Sequence, residues 1–279
     1  MSFSDGTGDG GARDNQAIGI HRTLKLKGGE VFVFDDELTV EEPLEIHLDG
    51  QPYAVTMRMP GDDLALVAGF CLTEGLVRAA DDIVGLKHCP KGLDRVLVEL
   101  HPRAHERTAA CERRRDFVSK SSCGLCGKEK MEDIYTDVPP VPDGGATTMD
   151  DVLRLKADFE TRKAVFQITG STHQAAVYDE DGACLSFAED AGRHNALDKA
   201  VGRVLLDGRQ DRAFAVLVSS RLSFEMVQKA VVLGAKVLAG VSAATTLAAA
   251  FAESRNLTLI GFLRRDRMNV YTHRERIKA

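Results

Sequence analysis

The stretch Phe214-Ala215-Val216-Leu217-Val218-Ser219-Ser220-Arg221 is an unbroken apolar run that ends abruptly in two hydroxyls and an arginine, and the pattern returns twice downstream. Lys236 to Leu238 leads into Gly240-Val241-Ser242, and Leu257 to Phe262 leads into Leu263-Arg264-Arg265-Asp266-Arg267. Short, uniformly apolar runs of this kind read as strands covered on both faces. The segments between them, Ser223 to Leu233 and Ala244 to Glu253, carry the spacing of amphipathic helices. The order β-α-β-α-β predicts a parallel sheet and an α/β fold class for the C-terminal half. In such sheets ligands bind beyond the carboxyl ends of the strands. Hydroxyls, glycine and arginines at three neighbouring tips, with Ser219, Arg221 and Leu263, Arg264, Arg265, Asp266 and Arg267 among them, point to a phosphorylated or nucleotide-like ligand. Solvated turn arginines are the plainer alternative, and the coincidence of three tips weighs against it. No Walker-type or Gly-x-Gly-x-x-Gly sequence occurs, so neither ATP nor NAD is expected.

Upstream, Gln174 to Tyr178 and Cys184 to Phe187 form a hairpin pattern around Asp179-Glu180-Asp181-Gly182. Polar clusters flank it: Thr169-Gly170-Ser171-Thr172-His173 before, Glu189-Asp190-Ala191-Gly192-Arg193-His194-Asn195 after. The second cluster opens a helix whose apolar face is Leu197, Ala200, Val201, Val204 and Leu205. His194 alone reads as a half-buried, satisfied histidine. With Arg193 and Asn195 beside it at a helix N-terminus it reads as part of an anion site. Asp190, Asp198 and Lys199 read equally well as local helix pairs.

The N-terminal half begins with Met1 to Gln16, too polar and glycine-rich to pack and expected to be disordered. Strand-like runs follow at Val31 to Phe34, Leu44 to Leu48 and Tyr53 to Met57, with Asp49-Gly50 as a turn, and predict a small antiparallel meander. Met59-Pro60-Gly61-Asp62-Asp63 stops the last strand and caps a helix with Leu64, Val67, Ala68 and Cys71 on one face, so Cys71 is expected in the core. Further strands are expected at Ile83 to His88 and Arg95 to Leu100. The run Val138-Pro139-Pro140-Val141-Pro142-Asp143-Gly144-Gly145 excludes helix and central strand and marks a sub-domain boundary, after which Thr148 caps a helix from Asp150 to Val165. Four segments result: a tail (1–16), an N-terminal mostly antiparallel sub-domain (17–101), a loop and linker (102–145), and an α/β sub-domain (146–279).

Within the third segment, Ser121-Ser122-Cys123-Gly124-Leu125-Cys126-Gly127-Lys128 places two thiols together in highly charged surroundings that include Arg113-Arg114-Arg115. Cys-x-x-Cys serves half a zinc site, a dithiol/disulfide couple or a sulfur-carrying thiolate. A structural zinc site wants a second pair, and Cys71, Cys89, Cys111 and Cys184 are scattered, with only His88-Cys89 adjacent. Nearby lysines and arginines favour thiolate, which suits a nucleophile that takes a group from one partner and passes it on. Zinc-deaminase chemistry is excluded by Ser122 in place of proline and by the absence of an upstream His-x-Glu. A net charge of −6 over 279 residues argues against general nucleic-acid affinity. No signal-peptide pattern or membrane-span-length run occurs, so the chain is expected in the cytoplasm with reduced thiols.

These features together resemble the FdhD/NarQ family, the formate dehydrogenase accessory sulfurtransferases. The likeness runs from about Val40 to Thr272. It rests on Glu42-Pro43-Leu44, Thr56-Met57-Arg58, Gly69-Phe70 with Thr73-Glu74-Gly75, the Ser122 to Gly127 motif, Thr169-Gly170 with His173, Glu189-Asp190 with Gly192 to Asn195 and Asp198-Lys199, Arg221-Leu222-Ser223, and Gly261-Phe262 with Arg264 and Asn269 to Thr272. Ser220, Met59, Ala244 and Ser171 depart from the family pattern. The resemblance implies a cytidine-deaminase-like scaffold and a sulfur carrier between a cysteine desulfurase and molybdenum bis(molybdopterin guanine dinucleotide), the cofactor destined for formate dehydrogenase. It implies that Cys123 bears the persulfide, that Cys126 is a second thiol, and that Phe262 to Arg267 contact the cofactor, with GDP as an analogue. A homodimer is implied as well. The alternative from another class is a non-catalytic cofactor chaperone whose Cys-x-x-Cys holds a structural metal.

Overall fold

The computed structural model describes residues 17–90, 94–105 and 138–278. The apolar runs of the C-terminal half form strands β10 (Ala215–Val218), β11 (Val237–Gly240) and β12 (Thr258–Gly261), every residue of which is buried, and they pair in parallel in that order. Strand β8 (His173–Tyr178) lies antiparallel on the outer side of β10 and carries β9 (Cys184–Asp190) as a hairpin, while β13 (Asn269–Val270) closes the opposite edge against β12. The result is a six-stranded mixed sheet, β13-β12-β11-β10-β8-β9, in a mixed α/β architecture with several sheets.

Alternation along these strands divides two cores. Ala175, Val177, Val216, Val218, Leu238 and Leu259 face the larger one. Ala176, Tyr178, Ala215, Leu217, Val237, Ala239 and Ile260 face a smaller one, covered by Val152, Leu155 and Phe159 of a helix, Met149–Thr161. Thr148 caps that helix through a reciprocal bond with Asp151, as its sequence predicts. The single helix expected to Val165 instead breaks at Arg162-Lys163, and a second short helix runs over Ala164–Thr169.

The N-terminal half supplies helix α1 (Asp63–Thr73) and a four-stranded sheet of β3 (Glu42–Leu48), β4 (Gln51–Arg58), β5 (Ile83–His88) and β6 (Arg95–Leu100), in the order β4-β3-β6-β5. Two of its three pairings are antiparallel, in keeping with a mostly antiparallel sub-domain, and the third, β3 with β6, is parallel. One expectation of this sheet changes. The run Val31 to Phe34 is not part of it: it belongs to β2 (Glu30–Thr39), which pairs with β1 (Ile18–Lys27) in a separate antiparallel ribbon. Asp62 does not cap the helix through its side chain: it sits in the left-handed region (φ 54°), and its carboxylate accepts from Arg203. Asp63, one residue later, is held instead by a bidentate pair with buried Arg58 (2.9 and 3.0 Å).

Helix α1 is buried on nearly all sides, not on one face, with Ala65 to Ala68, Cys71 and Leu72 almost inaccessible. It crosses the helix Arg193–Leu206 at two glycines. A Cβ on Gly69 would lie 1.9 Å from the Asp198 carbonyl oxygen, and one on Gly202 would lie 1.8 Å from that of Ala65. The two backbones approach so closely that only glycine fits on either side. This seam welds the N-terminal sheet layer to the six-stranded layer within one continuous core running from Leu44 to Leu259.

Candidate functional site at the strand-tip edge

Topology brings the two groups of polar residues together. The carboxyl ends of β10, β11 and β12 share one edge because the strands are parallel. Strand β8 runs the other way, so its first residue, His173, reaches that same edge, and Asp190 at the end of β9 pairs directly with it. Helix α4 (Arg193–Leu206) and helix α5 (Phe224–Leu233) both start there. Their positive ends therefore point toward the same space.

His173 Nδ1 lies 3.4 Å from Ser219 Oγ, which accepts the Gln174 backbone N–H at 2.9 Å. Burial, reinforced by the Arg193 guanidinium, pulls the His173 pKa down, and Asp190 opposes the shift. His194 Nε2 is 3.5 Å from a carboxylate oxygen of Glu225. Burial, with the charges of Lys229, Arg193 and His173, nevertheless pulls His194 down to about 3. The contact with Glu225 favours the imidazolium, but the ring is nearly enclosed and faces two cationic side chains, so the neutral form prevails. An edge that holds two neutral imidazoles beside a permanent cation is suited to accepting anionic oxygen without proton exchange near neutral pH.

Farther along the edge, Phe262 adopts a left-handed conformation (φ 50°) and is 41% exposed. Its N–H donates to the Ser242 carbonyl at 3.0 Å, tying the tip of β12 to that of β11. Arg264 N–H donates to Arg267 O at 2.8 Å and closes a tight turn, while its guanidinium bonds the Val241 carbonyl. Arg265, Asp266, Arg267 and Arg221 are exposed. Two expected contacts point inward instead: Leu263 is in the smaller core, its N–H bonded to Gly240 O at 3.1 Å, and Asn195 is buried. The Asn195 amide donates to Met57 O (2.6 Å) and Asp190 Oδ1 (3.1 Å), and its oxygen accepts from Thr56 (3.2 Å). Asn195 thus spends its polar atoms fastening the start of α4 to the end of β4.

The charges read as local helix pairs are also buried. Lys199 pairs with Asp190 at 2.8 Å and donates to Met59 O at 2.8 Å. Asp198 accepts from Lys229 at 2.7 Å through both oxygens and from Thr73 at 2.8 Å. Burial pushes the Asp198 pKa up, and Lys229 and Thr73 act against it. Sequence reading missed Glu225 and Lys229, whose i, i+4 spacing on α5 matches that of His194 and Asp198 on α4. The signal lay in those paired spacings on two helices of otherwise apolar faces.

Cys123 and Cys126, and the loop on which the sequence places them, lie outside the described residues. Of the other thiols, Cys71 is buried as expected, and burial raises the Cys184 pKa. Among the described residues no three His, Cys, Asp or Glu side chains gather as a metal site, and no helix is long and apolar enough to cross a membrane.

Residues 39–278 match the FdhD/NarQ family. The chain belongs to that family. Relatives named sulfur carrier protein FdhD include one from Nocardia farcinica, 42% identical over 92% of this chain and 94% of its own. A second, from Streptomyces coelicolor, is 40% identical with the same coverage. A third, from Mycobacterium tuberculosis, is 41% identical over 92% of this chain and 98% of its own. A crystal structure described as a formate dehydrogenase accessory protein from Desulfotalea psychrophila superposes with a TM-score of 0.76, covering 94% of this chain and all of that one at 22% identity. The FdhD/NarQ fold is therefore common to both.

Proposed function

We propose that this FdhD/NarQ protein is a cytoplasmic sulfur carrier that takes persulfide sulfur from a cysteine desulfurase onto Cys123 and delivers it to molybdenum bis(molybdopterin guanine dinucleotide) bound at the strand-tip edge, for use by formate dehydrogenase. The names of its relatives support the carrier role. The observation that carries the binding reading is the convergence of His173, Arg193, His194 and Ser219 with the arginine-bearing turn after β12 on one edge. A dinucleotide cofactor presents phosphates and flat bases to such an edge. Exposed guanidinium groups suit the phosphates, and the half-exposed Phe262 ring suits a base. The cytidine-deaminase-like scaffold that the resemblance implies would correspond to this layer, with the hairpin β8–β9 beside three parallel strands.

In the transfer, the Cys123 thiolate attacks the terminal sulfur of the donor persulfide, leaving the desulfurase thiolate and a Cys123 persulfide. Attack by the Cys126 thiolate on the inner sulfur then forms a Cys123–Cys126 disulfide and releases hydrosulfide, which completes the molybdenum ligand sphere. The two electrons that reduce the sulfane sulfur come from the dithiol, and a thiol reductant restores it.

Incubation with a desulfurase and labelled cysteine, followed by peptide mass spectrometry, should show one added sulfur on Cys123 and none there in Cys123→Ala. Labelling that persists elsewhere at full yield in Cys123→Ala removes this residue from the mechanism. Calorimetry should show GDP binding more tightly than ADP, and equal indifference to both defeats the cofactor assignment.

A further inference from the structure

His173 opens β8 and Ser219 follows β10, so the two side chains stand on neighbouring strands at the strand-tip edge. The backbone that carries the imidazole is pinned on both sides. The Thr172 carbonyl accepts from the Gln174 side-chain amide at 2.9 Å, and the Thr172 hydroxyl donates to Glu189 at 2.9 Å. Gln174 N–H donates to Ser219 Oγ at 2.9 Å, and Ser219 N–H donates to Gln174 O at 3.0 Å. What remains to be set is the ring itself. Burial and Arg193 lower its pKa, so near neutral pH it is uncharged, with one N–H and one acceptor nitrogen to distribute.

Hydrogen-bond counting decides the distribution. Ser219 Oγ already receives the Gln174 N–H and has one proton of its own to give. Among the described residues, the acceptor within reach of that proton is His173 Nδ1, at 3.4 Å. A hydroxyl proton given to Nδ1 leaves the ring proton on Nε2, since the bond made by one ring nitrogen sets the state of the other. Nε2, on the far side of the half-buried ring, bonds none of the described residues and is not sealed from solvent. It opens beside the Arg193 charge that depresses the ring. His194 does the reverse: its Nε2 is enclosed, 3.5 Å from Glu225. One imidazole of the edge thus turns its Nε2 inward and the other outward.

We propose that Ser219 is a positioning residue for His173: by giving its hydroxyl proton to Nδ1 it fixes the tautomer with the proton on Nε2, and that N–H donates to a phosphate oxygen of the guanine nucleotide. The ligand half rests on the cofactor reading above, and the tautomer half does not.

Long-range proton–nitrogen correlation spectra of the full chain carrying isotope-labelled histidine, recorded near neutral pH with His173→Gln to identify the signal, read the tautomer directly. The native protein is expected to hold the proton on Nε2. Ser219→Ala should give a mixture of both tautomers, which a loss of packing alone does not produce. Calorimetry with GDP reads the consequence, on variants whose folding is confirmed by far-UV circular dichroism. Ser219→Ala should weaken binding about threefold, because the competent ring is then populated only part of the time. His173→Asn, whose amide reaches only the place of Nδ1, should weaken it about tenfold, the loss of one charged hydrogen bond. His173→Gln sets an amide N–H near the place of Nε2 and should stay within about twofold of native affinity, and adding Ser219→Ala to it should cost nothing further. A native proton on Nδ1, or a tautomer unchanged in Ser219→Ala, overturns the proposal. So does GDP binding in which Ser219→Ala costs as much in the His173→Gln background as in the native one, a result that leaves the cofactor reading standing. A native chain that ignores GDP defeats that reading and the ligand half with it, and the spectra still decide the tautomer.

Discussion

Two sets of charged residues meet at the strand-tip edge and behave oppositely. Asp190, Asp198, Lys199 and Lys229 are almost wholly buried and pair with one another, whereas Arg221, Arg265 and Arg267, in the turns after the strands, are exposed. The buried set forms rungs between helices: Asp198 of α4 meets Lys229 of α5 and Thr73 of α1, and one turn nearer the edge His194 meets Glu225. Charge inside the protein fastens the helices that start at this edge, and charge outside faces solvent. Conspicuous charge near a site therefore does not by itself name the residues that bind.

The largest effect separating the sets should come from the buried pair. Lys229→Ala leaves Asp198 ionised or protonated without its main partner and should cost about 3–5 kcal/mol in urea unfolding, the usual penalty for breaking a buried ion pair. The volume-matched double variant Asp198→Leu/Lys229→Met should recover most of that loss. If Lys229→Ala costs less than about 1 kcal/mol, the range of an exposed pair, the rung is not structural and the contrast fails.

Gly202→Ala attacks the same seam without touching a charge. The added methyl meets the Ala65 carbonyl oxygen at 1.8 Å, so the helices must separate, and overpacking of this kind costs about 1–3 kcal/mol. GDP binding measured on the folded fraction should weaken as well, because α4 carries Arg193 and His194. Unchanged stability would mean that the two helices are free to move apart.

Much of this was legible in the chain. The apolar runs at 215–218, 237–240 and 258–261 announce the parallel strands because burial on both faces leaves no alternation to misread. The ribbon was half missed because Ile18–Lys27 alternates apolar with basic residues, and no neighbouring core identifies which face is inside. The parallel β3–β6 pairing joins segments far apart in sequence, and periodicity carries no information about such partners. At the site, His173 and the residues around His194 were recognised as polar clusters. That Asn195 faces inward depends on Thr56 and Met57, and local sequence cannot show a bond across more than a hundred residues.

The exposed set should show the reverse profile. Arg265→Ala and Arg267→Ala should each shift unfolding by less than about 0.5 kcal/mol, as surface substitutions do. Each should nevertheless weaken GDP binding about tenfold, the loss of one charged hydrogen bond. Normal GDP affinity in both would return these arginines to the solvated-turn reading.

The smallest effect distinguishes the two rungs from each other by pH. His194 is pulled down to about 3 in the folded protein and returns to an ordinary histidine value near 6.5 when unfolded. Between those values the unfolded chain holds one proton more than the folded one, so stability rises with pH. The contribution is fully present above the unfolded value and is lost as pH falls toward the folded one, with a limiting slope of about 1.4 kcal/mol per pH unit. Measured between about pH 6.5 and pH 5, above the range in which ordinary carboxylates titrate, His194→Gln should flatten the curve. The opposite result, a native stability that grows on acidification and a variant that loses this growth, would mean that Glu225 at 3.5 Å outweighs burial and that the second rung is an ion pair like the first.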